Sequence, residues 1–332
     1  MKKVAIIVPV YNAQKYIDRC IQSICNQTWE EWEAWFVDDC SQDESYYICK
    51  SWQEKDNRIH VIKNSINSGA GKTRNVALDI IAARDDIEFL IFVDSDDYIH
   101  PKYIETMITL QNIHKADIVW VDVKGVSDNS KLEFDEIDEN NDAQIMTGKQ
   151  LLMREEDRIM YSMVWGKLFK ASLWQINRMV ENLRWYEDGA STYRVIYEAD
   201  VIAKSPLKLY YYCHSENSSV RSKHNEERYR CALETHFVKM DFYKEKSEKE
   251  LLEMTYIAYL NDLLNIMMTC KCIDTGNGLY KEMKNEYRSI YILGVKCRYI
   301  SWSQRFKYLV YRFFPIIRSI YISIKLMFFK NK

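Results

Sequence analysis

The sequence predicts an α/β protein, a mostly parallel sheet flanked by helices, followed by a long helical C-terminal region. Three observations predict this. Short apolar runs recur at residues 4–10, 34–37, 59–62 and 89–93, with the length of buried strands. Between them, residues 16–27, 44–54 and 73–83 carry apolar side chains at helical spacing, such as Ile17, Ile21 and Ile24, or Val76, Ile80 and Ala83. Strand–helix–strand alternation at this interval makes βαβ units. From 226 to 292 the pattern is helical and amphipathic, with no proline.

The remaining elements follow in order. A helix is expected to begin at Pro101 and a strand to occupy 117–123. Residues 128–142 are acidic and polar and read as an exposed excursion. Helices are expected at 147–159 and 190–198, and a Leu- and Tyr-rich strand at 202–213. The expected division is a first domain over 1–220, a helical subdomain over 221–292 and a tail over 293–332.

With 46 Lys+Arg against 48 Asp+Glu, the chain has no global basic field, which argues against nucleic acid as a partner. That balance hides an asymmetry. After Glu286 there is no acidic residue and there are ten Lys and Arg, so the body carries a formal −12 and the tail +10. Such segregation points to different partners for the two ends. The 24 Tyr and 9 Trp fit a carbohydrate-handling or membrane-surface protein, or a heavily aromatic core. Nine cysteines form no CxxC pair, and Cys270-x-Cys272 is too isolated for a zinc site, so reduced thiols are expected. The apolar run after Met1-Lys2-Lys3 stops at Pro9 and reads as a first strand, not a signal peptide. No stretch of about 18 uncharged apolar residues would span a membrane.

A doubly wound sheet binds its ligand at the carboxyl ends of its strands, so the residues that follow each apolar run matter most. The first run ends in Pro9-Val10-Tyr11-Asn12 and the second in Asp38-Asp39-Cys40-Ser41. Asp38 or Asp39 could simply cap the helix starting near Asp43; alternatively, an ionised carboxylate there could accept from a nucleotide base or ribose. After the third run, Gly69 and Gly71 allow close backbone approach while Lys72 and Arg74 open a helix, an arrangement suited to an anionic phosphate. The fourth ends in Asp94-Ser95-Asp96-Asp97. Carboxylates crowded at a strand tip need a counter-charge, which a divalent cation with oxygen ligands supplies. Later, Glu187 and Asp188 precede a helix, where an acidic pair also complements the helix dipole.

Seven segments, taken in order, resemble family 2 glycosyltransferases: IIVPVYN (6–12), SICNQTW (23–29), VDDCSQD (37–43), NSGAGKTRNVAL (67–78), FVDSDDYIHP (92–101), WGKLFK (165–170) and YEDGASTYRV (186–195). The resemblance covers residues 1 to about 220 and implies the GT-A fold, a Rossmann-like mixed sheet flanked by helices. It also implies an inverting, metal-dependent transfer from a UDP-sugar to a hydroxyl of a glycan or lipid-linked acceptor, in bacterial surface polysaccharide synthesis. Pro9, Tyr11, Asn12 and Asp39 would then hold the base and ribose, and Arg74 with Lys72 would face the diphosphate. Asp94 and Ser95 would lie near the ribose and sugar, and Asp96 with Asp94 would bind Mn²⁺ or Mg²⁺. Asp188 would be the base, with Glu187 beside it, and Trp165, Lys167 and Trp185 would line the acceptor side. Cys40 departs from the family, which usually has Gly or a small residue there, and Lys72-Thr73 stands where Ser-Ala is common.

In the tail, Arg305, Arg312, Arg318, Lys325 and Lys332 fall along one side of a helix, with Phe306, Leu309 and other apolar residues over the rest, and Pro315 kinking it. This reads as a segment lying in an anionic membrane interface, which would make the protein cytoplasmic and peripheral on the inner membrane face. The rival for the tail is packing on the acidic body. The rival for function is a non-catalytic nucleotide-sugar-binding scaffold, against which the retention of Asp94, Asp96 and Asp188 argues. The helical region also carries enough apolar surface for self-association.

Overall fold

The computed structural model describes residues 2–127, 131–137, 142–214, 226–273 and 278–313. It divides into two compact units, Met1–Lys223 and His224–Lys332.

The first unit opens with alternating strands and helices: β1 (Lys3–Val10), α1 (Ile17–Cys25), β2 (Trp32–Asp38), α2 (Ser45–Gln53), β3 (Ile59–Lys63), α3 (Ala70–Ala82) and β4 (Ile87–Phe92). It continues with β5 (Tyr98–Ile99), α4 (Tyr103–His114), β6 (Ile118–Ser127), β7 (Gln144–Met146), α5 (Gly148–Leu152), α6 (Arg158–Ser162), β8 (Lys167–Lys170), α7 (Ala171–Gln175), α8 (Glu187–Tyr197) and β9 (Ile202–His214). The strands form one sheet in the order β3-β2-β1-β4-β8-β6-β9-β5, with β7 on β9. β1, β2, β3 and β4 pair in parallel, as do β6 and β9, whereas β8 runs antiparallel between β4 and β6. The sheet is thus more mixed than the apolar runs suggested.

Val4 through Val8 of β1 are all fully buried, so both faces of this central strand are covered. That is why the early strands read as continuous apolar runs and not as alternation. Ile17, Ile21 and Ile24 of α1 join the same core as Val4, Ile6 and Val8. The helix expected over 147–159 is broken: α5 starts on a Thr147/Gln150 capping box, and the charged run at 154–157 intervenes before α6.

The second unit contains α9 (Glu226–Glu245), α10 (Lys249–Ile273), α11 (Gly278–Lys296) and α12 (Trp302–Phe313). Tyr259, Leu260, Leu263 and Leu264 of α10 share a core with Tyr287 of α11 and Tyr308 of α12. The Tyr287 hydroxyl donates to the Tyr308 carbonyl at 2.8 Å, and the Tyr308 hydroxyl to Asn261 Oδ1 at 2.8 Å. Arg318, Lys325, Lys332 and Pro315 lie outside the described residues. Among the described residues no helix is long and apolar enough to cross a membrane. The seven cysteines described are all free thiols.

Candidate active site

Parallel pairing places the carboxyl ends of β1, β2 and β4 side by side, and Val10 of β1 stands opposite Asp38 of β2. Two loops interlock there. The Asn12 N–H donates to Ser41 Oγ at 3.0 Å, and Asn12 Oδ1 accepts from the Gln42 N–H at 2.9 Å. Asn12 and Cys40 both sit in the left-handed region, at φ 48 and 62°. Asn tolerates that region better than Cys, so Cys40 holds backbone strain that a glycine would not. Pro9 is half-buried and Tyr11 is 50% exposed, a free aromatic ring at the edge of the crevice.

Asp39 is buried and organises the loop ahead of α3. Its carboxylate accepts from Asn64 Nδ2, Ser68 Oγ and the Ser68 N–H, each at 2.9 Å, and from the Gly69 N–H at 2.8 Å. Burial alone would raise its pKa, but these hydrogen bonds lower it below the usual aspartate value. Neither Asp38 nor Asp39 caps α2, contrary to the simpler expectation. Asp43, one residue ahead of the Glu44 N-cap, accepts from the Ser45 N–H at 3.0 Å, while Asp38 accepts from the Ser41 N–H at 3.1 Å. Gly69, at φ 86°, precedes α3 and faces open space. Lys72 is exposed on the first turn.

Arg74 is placed differently from the phosphate-facing residue expected. It is 3% exposed, and its guanidinium joins three carboxylates. Nη1 donates to Glu187 Oε1 and Asp188 Oδ1, both at 2.9 Å, and Nη2 donates to Asp94 Oδ1 at 2.8 Å. The helix expected from 190 begins at Glu187, so both acidic residues lie in the first turn of α8, where its dipole favours them. The approach of α3 is close: a Cβ on Gly71 would stand 2.6 Å from the Val180 carbonyl oxygen. Burial pushes the Asp188 pKa up to about 7; Arg74 opposes the rise, and Glu187 and Asp94 add to it. A carboxylate poised near neutrality suits a general base.

The Asp94–Asp97 turn is braced from below. The Tyr210 hydroxyl donates to Asp97 Oδ2 at 2.7 Å and accepts from the Asp94 N–H at 3.1 Å, and the Cys213 N–H donates to Asp97 Oδ1 at 2.8 Å. Asp97 is fully buried, and burial together with the Asp96 and Asp94 charges holds its pKa well above the usual range. Asp94, Ser95 and Asp96 are half-buried at the surface of the turn. Arg19 Nη2 holds the Asp96 carbonyl at 2.9 Å. Among the described residues no group of three or more His, Cys, Asp and Glu could hold a metal ion unaided.

Two residues expected on the acceptor side are interior. Trp165 is 7% exposed and stacks on Tyr210 at 5.0 Å between ring centroids, so its face is already covered. Lys167 is 1% exposed, and its ammonium donates to the carbonyls of Met160 at 3.0 Å and Met163 at 2.7 Å. Burial pushes its pKa down to about 7. Both are interior for one reason: the 165–170 motif contains β8, a central strand. Trp185 is half-buried, with the Arg184 guanidinium 5.2 Å from its ring centroid.

Sequence reasoning missed Asn64, Asn75 and Tyr210. Asn75 pins the segment leading to Glu187, donating to the Met179 carbonyl at 3.0 Å and accepting from the Met179 N–H at 2.9 Å. It follows Arg74 directly, inside a segment already singled out. Nothing in the 202–213 strand distinguishes Tyr210 from its tyrosine neighbours.

Residues 5–170 match the family described as glycosyl transferase family 2. The poly(ribitol-phosphate) beta-glucosyltransferase of Bacillus spizizenii is 32% identical over 63% of this chain and 32% of its own. The poly(ribitol-phosphate) beta-N-acetylglucosaminyltransferase TarS of Staphylococcus aureus is 32% identical over 64% of this chain and 35% of its own. The chain therefore spans about a third of the length of these curated relatives. The crystal structure of S. aureus TarS 1-349 in complex with UDP-GlcNAc superposes with a TM-score of 0.62 at 25% identity, covering 88% of this chain and 79% of that one.

Proposed function

The chain belongs to glycosyl transferase family 2, and on that premise we propose that it transfers a sugar from a UDP-sugar to an acceptor hydroxyl in the assembly of a bacterial surface polymer. The observation that carries this reading is the meeting of Asp94, Glu187 and Asp188 on Arg74 at the carboxyl ends of the parallel strands. The UDP-GlcNAc complex of the TarS fragment, a fold relative, supports a uridine donor.

In this reading Asp188 takes the proton of the acceptor hydroxyl as its oxygen attacks the anomeric carbon, and UDP leaves from the opposite face. One displacement inverts the centre, so an α-linked donor gives a β-linked product. Glu187 keeps Asp188 company on the acceptor side, with Trp185 and the exposed Tyr186 near it in sequence. Pro9, Tyr11, Asn12 and Asp39 frame the nucleoside end, and the open N-terminus of α3 with Lys72 receives the diphosphate.

Asp94 and Asp96 fit a divalent cation by their chemistry: oxygen-only donors at a half-buried turn, too few to cage an ion unaided, as suits Mg²⁺ or Mn²⁺ sharing its shell with phosphates. Bound there, the cation would neutralise the departing diphosphate. The cationic C-terminal portion would meet an anionic membrane surface, holding the protein near a lipid-linked acceptor. In α12 the residues Trp302, Phe306 and Leu309 are 86, 68 and 42% exposed and fall on one helical face.

The test is release of UDP from a panel of UDP-sugars by purified protein, with Mn²⁺ or with chelator, comparing wild type with Asp96→Ala. Consumption of one UDP-sugar, lost in the variant, is the expected result. No turnover of any UDP-sugar would contradict the proposal.

A further inference from the structure

We propose that Arg74 is the positioning residue of this site: it ties the metal-side carboxylate Asp94 to the acceptor-side pair Glu187 and Asp188, and so fixes where the base stands relative to the reacting carbon. This rests on the reading of Asp188 as the base.

Asp94 follows β4, and Glu187 and Asp188 open α8, elements whose carboxylates would separate without a shared counter-charge. Arg74 supplies it from a third element, α3. Its planar fork reaches three acceptors in different directions at 2.8 to 2.9 Å. A lysine brings the same charge as a single point and cannot span that set. Burial alone would lower the Arg74 pKa, yet the Asp188, Asp94 and Glu187 carboxylates raise it, so the guanidinium stays charged at any working pH.

The backbone on both sides is fixed as well. Asn75 holds Met179, the Val180 N–H donates to Ser191 Oγ at 2.8 Å, and Ser191 Oγ donates to the Glu187 carbonyl at 2.6 Å. With α3 and the start of α8 so joined, the Arg74 fork sets the remaining freedom, that of the carboxylate side chains. A diphosphate ligand would present an open edge. Arg74 presents none: it is 3% exposed, and among the described residues its Nε is buried without a hydrogen-bond partner. Lys72, two residues earlier and exposed, is the cation free to meet phosphate.

The test separates binding from turnover in Arg74→Lys, with Glu187→Gln and Asp188→Asn alongside. UDP affinity is measured by calorimetry with and without Mn²⁺. Turnover is UDP released at saturating concentration of the UDP-sugar that the wild type consumes fastest. A base displaced by about 1 Å costs on the order of 100-fold, so Arg74→Lys should lose about that in turnover while UDP affinity stays within about threefold. Should Arg74→Lys fail to fold, Glu187→Gln carries the same split with a smaller loss, about tenfold. A UDP affinity reduced tenfold or more with turnover preserved would make Arg74 a diphosphate ligand and overturn the proposal. Wild-type behaviour in both assays would overturn it too. With Asp188→Asn inactive, such results sink the positioning role alone. An Asp188→Asn variant that turns over normally sinks the base reading, and the positioning role with it.

Discussion

Two groups of carboxylates stand at the same edge of the sheet and are held in opposite ways. At the tip of β2, Asp39 and Asp43 accept from backbone N–H groups and neutral side chains of the loops they organise. Around Arg74, Asp94, Glu187 and Asp188 share one cation and crowd one another. Neutral donors stabilise charge without adding any, so Asp39 and Asp43 ionise more readily than usual. One cation among three carboxylates leaves a net negative cluster, and Asp188, pushed up chiefly by its burial, retains its proton up to about 7. The first arrangement builds a loop; the second makes a proton acceptor.

The loop at the tip of β2 depends on Asp39. Asp39→Ala removes the shared acceptor of Asn64, Ser68 and Gly69 and should cost about 3 kcal/mol of stability, as buried donors lose their partner. Urea unfolding measures it, and a loss below about 1 kcal/mol would show that the loop does not depend on Asp39. Titration sharpens the contrast, because the two sites have opposite signs. The Asp39 pKa is lowered by folding, so its stabilisation is present above 3.8 and is lost as pH falls through the folded value. The Asp188 pKa is raised from 3.8 to about 7, so its contribution is full below 3.8 and is lost as pH rises through about 7. Turnover runs the other way: kcat/KM for the UDP-sugar should fall about tenfold per pH unit below about 7 as the base protonates. A flat profile from 5 to 8 would remove Asp188 from proton transfer. The smallest effect is expected at Cys40, where φ is 62°: Cys40→Gly should raise stability by about 0.5–1 kcal/mol, read as a higher melting temperature.

Much of the fold was legible because β1 is buried on both faces and β2 and β4 nearly so, and they read as apolar runs. The four-residue β8 and the two-residue β5 were not, since strands that short carry no period. The first of these strands buries Trp165 and Lys167, which the resemblance had put on the acceptor side and whose motif gives no sign of the burial. Asp94, Glu187 and Asp188 could be picked out by their positions at element ends. The ion pairs of Arg74 were not legible from its neighbours, as Gly69, Gly71 and Lys72 suggest a phosphate ligand. Its partners Glu187 and Asp188 lie 113 and 114 positions away, and only folding brings them to it.

The central claim, that the Arg74 cluster houses the proton acceptor, is tested most directly in Asp188→Asn. The substitution keeps the shape of the side chain and removes its basicity. UDP affinity and release of UDP from the preferred UDP-sugar are measured on the same preparation. The account predicts wild-type UDP affinity with turnover reduced on the order of 1000-fold, the contribution of a positioned base. Turnover within about threefold of wild type would contradict it and move the base elsewhere in the crevice.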